Sequence, residues 1–194
     1  MGKGRLEAFS DGFFAIIITV MVLEIKTPHE PNWQALQPLI PVLLSYVLSF
    51  IYLGIYWNNH HHLLQAVRHV DGRTLWANSH LLFWLSLVPF VTRWMGETHF
   101  ASLPVALYGA VLLMAAISYT ILAIALVSCH GRDSTLARAM GRDFKGKVSI
   151  LCNIAAIPLA FFYTPLSGAL IVLVALIWLV PDRRIERAVT TATE

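Results

Sequence analysis

Apolar residues fall in six long runs, separated by short stretches rich in Pro, Gly, Asn, Asp, Lys and Arg. A helix crosses a bilayer core with about 20 apolar residues. The runs therefore predict membrane helices over about 5–25, 39–59, 74–94, 104–127, 148–162 and 166–180. TPHEPNWQALQP, with three prolines, reads as the first loop, and its Trp33 suits an interfacial anchor. DGR at 71–73, MGETHFASL at 95–103, the basic stretch from His130 to Lys147, and Tyr163-Thr164-Pro165 are the other connections. The fold class is an all-α integral membrane protein with six transmembrane helices per subunit. Residues 1–187 form one membrane domain, and residues 188–194 are a frayed tail. No internal repeat is visible, which weighs against an inverted-repeat transporter.

Composition narrows the classes. A mean hydropathy of +0.66 with 13% charged residues is outside the range of a soluble domain of this length. The net charge of +3 is no nucleic-acid signature, because the basic residues sit in short loops. Lys3, Arg5, Arg68, Arg73, Arg132, Arg138, Arg142, Lys145, Lys147, Arg183, Arg184 and Arg187 fall on one side of a six-span topology; Lys26 and Arg93 alone fall on the other. The positive-inside rule then places the N- and C-termini in the cytoplasm. Cys129 and Cys152 are isolated, so a disulfide framework is not expected. No cleavable signal peptide is expected either, since Asp11 interrupts the first apolar run. No phosphate loop, nucleophile elbow, dinucleotide fingerprint or TVGYG filter occurs, so neither an enzyme nor a cofactor is implied.

The first run, RLEAFSDGFFAIIITVMVLEI, is the most informative. Ionisable residues inside a span are costly and mark function by default. Arg5 and Glu7 either join the immersed part or lie at the headgroups; Asp11 needs a partner on both readings. At about 100° per residue, Gly12, Ile16, Thr19 and Leu23 lie within roughly 60° of one another. Ser10 and Asp11 point away from them. That stripe can line an axis or face lipid.

Further polar groups gather at the same end of the next two spans. Trp57, Asn58 and Asn59 precede His60-His61-His62, and the third span carries Asn78 and His80. Three consecutive helical histidines diverge and cannot converge on one metal ion. An inward-facing histidine bonded to the first span is the better reading. Arg5, Ser10, Asp11, Trp57, His60, His61 and Asn78 could satisfy one another in a network that fixes helix register, or that senses protons.

With these residues in place, the chain resembles the transmembrane protein 175 family of potassium channels, in its short prokaryotic form. The R-x-x-x-F-S-D pattern is matched by Arg5, Phe9, Ser10 and Asp11. IYWNNHHHLL, FWLSLVPFVTRWMGE and LIWLVPDRR are similar as well. The resemblance implies a homotetramer in the inner (plasma) membrane, conducting K+ without covalent chemistry or a P-loop. It implies a pore lined by the first helix, with apolar and threonine layers at Ile16, Thr19 and Leu23, and Gly12, Val20 and Glu24 beside them. Glu24 either concentrates cations at the outer mouth or is an interfacial charge. The resemblance further implies that Arg5, Ser10, Asp11, Trp57 and one histidine hold helices one to three together. The expected partners are other copies of the chain, lipid and K+, with no resident metal and no nucleic acid. The rival readings are a proton-coupled or proton-conducting secondary transporter using Asp11 and the histidines, and a histidine-based metalloenzyme.

Overall fold

The computed structural model describes residues 2–131 and 144–179. Its helices are α1 Gly4–Leu23, α2 Trp33–Leu36, α3 Ile40–Gln65, α4 Gly72–Ser86, α5 Val88–Glu97, α6 Ser102–His130, α7 Phe144–Phe162 and α8 Thr164–Leu179. The tail at 188–194 and the basic residues Arg132, Arg138, Arg142, Arg183, Arg184 and Arg187 lie outside the described residues. Apolar backbone must satisfy its own hydrogen bonds where water is absent, which is why each run becomes helix.

Among the described residues, five helical stretches are long and apolar enough to cross a membrane: Gly4–Leu23, Trp33–Gln65, Gly72–Glu97, Ser102–His130 and Phe144–Phe162. The sixth, α8, is apolar and described over 16 residues. Two stretches are composite. Asn32 caps α2 by accepting the Ala35 N–H at 2.9 Å, and a 3₁₀ turn over Gln37–Leu39 feeds directly into α3. The third span, read from the sequence as one helix, breaks at Leu87 into α4 and α5, because Pro89 has no N–H to continue the ladder. His99 and Phe100, both left-handed at φ 52° and 60°, reverse the chain into α6. Gly131, at φ +88°, ends α6.

α6 is the packing centre. It lies against α4 and α5 on one side and α7 on the other, with Leu112, Ala115, Leu122 and Leu126 fully buried. α3 and α5 approach closely at Gly96, where a Cβ would stand 2.6 Å from Ser45 Oγ and 2.7 Å from Val42 Cα. Buried hydroxyls stitch the same region: Ser49 lies 2.6 Å from Thr92 and 3.0 Å from Tyr108. Among the described residues, α1 packs chiefly on α3, α4 and α5.

Candidate functional site

α1 has two faces of different chemistry. Leu6, Ser10, Phe14, Ile17 and Met21 are buried, at helical spacing. Gly12, Ile16, Thr19, Val20 and Leu23 are exposed on the subunit surface; Ile16 is 63% and Leu23 81% accessible. The Thr19 hydroxyl lies 2.9 Å from the Ile16 carbonyl and 3.0 Å from that of Ala15. Its single proton is spent on its own helix, so the oxygen's lone pairs are left to accept on the exposed side.

The buried face is held by a chain of three polar side chains from three helices. The Asn78 amide donates to Ser10 Oγ at 3.1 Å, and its carbonyl lies 2.7 Å from His60 Nε2. An amide oxygen only accepts, so His60 carries its proton on Nε2 in this arrangement. Ser10, Asn78 and His60 are all buried, and the His60 ring sits 5.9 Å from that of Phe14. A second tie joins α1 directly to α3 at the subunit surface, where Trp57 Nε1–H donates to Asp11 Oδ1 at 2.9 Å.

The structure separates the three histidines. His60 points into the bundle, while His61 stacks on Trp57 at 5.8 Å and bonds Gln65 at 2.8 Å. No group of three or more metal-ligating side chains comes together among the described residues. Arg5 and Phe9 are exposed and lie apart from the Ser10–Asn78–His60 chain. His80 accepts from Trp84 within α4. At the opposite end of α1, Glu24 is paired with Arg93, which also donates to Glu97 at 3.1 Å. Lys26 lies 3.5 Å from Glu97. The Glu24 carboxylate is thus already neutralised by a cation.

The family model described as "Endosomal/lysosomal potassium channel TMEM175" matches residues 5–89. A potassium channel of Chryseobacterium sp. (strain P1-3) is 55% identical over 188 residues, spanning 97% of this chain and 98% of the relative. The chain belongs to the TMEM175 family. A potassium channel of Streptomyces collinus is 35% identical over 125 residues, covering 60% of this chain and 61% of the relative. The crystal structure of a lysosomal potassium-selective channel TMEM175 homolog from Chamaesiphon minutus superposes with a TM-score of 0.79 at 28% identity, covering 93% of this chain and 97% of that one.

The TMEM175 match runs through α1, α3 and most of α4–α5, the helices that share the Ser10–Asn78–His60 chain. As a member of an ion-channel family, the protein is a multi-pass membrane protein and not an enzyme. Two of its ties were not visible in the sequence. Lys3 Nζ donates to the Leu64 and Gln65 carbonyls at 2.9 and 3.3 Å, where a cation suits the C-terminal end of α3. Arg93 clamps the C-terminal end of α1. Both join residues more than 60 positions apart, and local pattern carries no signal for them.

Proposed function

We propose that this chain is a potassium-selective channel of a prokaryotic plasma membrane, assembled as a homotetramer around a pore lined by α1. The observation that carries the reading is the division of α1. Its polar groups Ser10 and Asp11 are committed to α4 and α3, while Gly12, Ile16, Thr19 and Leu23 form a continuous exposed stripe. One helix per subunit cannot enclose a pore, so the stripe requires several copies around an axis. Apolar rings of Ile16 and Leu23 would gate by dewetting, and a ring of Thr19 oxygens would replace part of the hydration shell of K+. The relatives named as potassium channels support the choice of ion.

The termini are read as cytoplasmic. Gly2 pairs with His69, so the N-terminus shares an end of the bundle with the α3–α4 loop. That end carries Lys3, Arg5, Arg68, Arg73, Lys145 and Lys147.

Ion flux through the full-length protein in liposomes tests this function. Passive K+ flux exceeding Na+ flux, with the preference lost in Ile16→Asn, is the expected result. Flux that needs a proton gradient would replace the channel with a coupled transporter.

A further inference from the structure

The two ends of α1 carry charge differently. Beyond its C-terminal end, Glu24 pairs with Arg93 and Lys26 with Glu97, and Arg93 bonds Glu97 at 3.1 Å. Two acids and two bases cancel there. At the N-terminal end, Lys3 lies 3.4 Å from Glu7 and donates to carbonyls at the end of α3. Arg5 is exposed and, among the described residues, has no hydrogen bond, ion pair or ring contact.

By position, Arg5 belongs to the exposed stripe. It stands eighteen residues before Leu23, and eighteen residues at about 100° each make five whole turns. Gly12, Ile16 and Thr19 fall within about 40° of the same line. Leu6 and Ser10, on the opposite side of the helix, are buried, which fixes the orientation. Arg5 precedes Gly12 by seven residues, about 10 Å along the helix. Asp11 points about 120° away from this line, to Trp57 of α3.

We infer that Arg5 of each subunit places a fixed positive charge at the entrance of the conduction path, at the α1 N-terminal end. The resulting ring makes K+ enter less readily from that end than from the other. A guanidinium stays protonated at every working pH, so nothing discharges the ring. It lowers the concentration of cations in front of it, whereas the cancelled charges at the other end have little effect.

This role rests on the pore reading, because a stripe facing lipid would put Arg5 among headgroups. Its size follows from simple electrostatics. Guanidinium groups about 10 Å from an entering ion, partly offset by Asp11, change its local concentration about twofold at about 0.1 M salt. At about 1 M the screening length falls to about 3 Å and the effect vanishes.

Single-channel currents of the full-length protein in a planar bilayer, with equal K+ on both sides, test the ring. At about 0.1 M K+ the wild-type currents in the two directions should differ about twofold, and at about 1 M they should be equal. Arg5→Lys should keep the asymmetry, Arg5→Gln should remove it and Arg5→Glu should reverse it. Arg5→Cys, in a background lacking Cys129 and Cys152, identifies the side: from the α1 N-terminal side alone, an impermeant cationic thiol reagent should restore the asymmetry and an anionic one reverse it. Equal wild-type currents at low salt, an asymmetry that survives Arg5→Gln, or reagents of both charges acting alike would overturn the inference. Ile16→Asn, recorded alongside, separates the two readings. If it loses the K+ preference, any of those results removes the ring and leaves the pore standing; if it keeps the preference, the pore reading falls and the ring with it.

Discussion

Ser10 and Thr19 lie nine residues apart on α1 and point to opposite sides of it. Nine residues at about 100° each make two and a half turns. The Ser10 hydroxyl is fully buried and accepts from Asn78, whereas the Thr19 hydroxyl is exposed and bonded to its own helix. One helix thus carries an anchoring hydroxyl and a surface hydroxyl, and the Asn78–His60 pair decides which is which.

The anchor predicts a stability effect. Asn78→Leu leaves the buried His60 proton and Ser10 without their partner. A loss of about 1–2 kcal/mol is expected, the range for interhelical hydrogen bonds in membranes. Ser10→Ala should cost less, and the double variant Ser10→Ala/Asn78→Leu should cost less than the sum of the two. Thermal unfolding in detergent measures all three. Strict additivity would show that the two residues do not act together.

Gly96 predicts a packing effect. An alanine Cβ there would meet the α3 backbone at Val42 Cα, 2.7 Å away, so the helices must separate. Gly96→Ala should lower the melting temperature, at a cost of about 1–3 kcal/mol. Gly109→Ala is the control: its Cβ would meet Ile157 at 3.6 Å, an ordinary contact, and the change should be tolerated.

The anchor's three helices were legible in the sequence, and its members were only partly so. Ser10 and Asp11 interrupt an apolar run, and Asn78 does the same in the third span, so their need for partners follows from the cost of burying polar groups. Which histidine turns inward depends on the rotational register of α3, set by packing at Leu53 and Leu64, both fully buried. Arg5 and Phe9 stand in the same motif as Ser10 and Asp11, yet lie on the exposed side of α1. The Leu87 break shows another limit. Pro89 was plain to see, but a proline at the second residue of a helix and one inside a kinked span look the same in sequence. The Arg93–Glu24 pair depends on α5 packing against α1, which no local pattern encodes.

That pair changes what Glu24 does. Its charge is balanced by Arg93, so Glu24→Gln leaves a net positive charge there and should lower K+ conductance at low ionic strength. Arg93→Gln removes the balancing charge and should raise conductance at low ionic strength, an effect lost as salt screens it. Conductance measured at several K+ concentrations checks this. A drop for Glu24→Gln that persists at every concentration would show that Glu24 does not act through a screened field.

Asp71 predicts a pH dependence outside the membrane. It caps α4, accepting from the Thr74 hydroxyl at 2.7 Å and from the Thr74 N–H at 2.8 Å. These bonds, the hydroxyl's first, hold its carboxyl below the usual carboxylate range. A depressed folded-state value contributes stability that is complete above the unfolded value of about 4 and lost as pH falls through the folded one. The melting-temperature difference between wild type and Asp71→Ala should therefore be full at pH 7 and shrink toward pH 3. A difference that grows on acidification would contradict the capping role.

In the proposed channel the exposed stripe of α1 lines the conduction path. Single cysteines at Ile16, Thr19 and Leu23, and at Ile18 on another face, should be placed in a background lacking Cys129 and Cys152. Each variant is then treated with a small cationic thiol reagent during K+ flux. Block at the three stripe positions, slowed by high K+ and absent at Ile18→Cys, is the predicted result. Block at Ile18→Cys with none at the stripe would place the conduction path elsewhere.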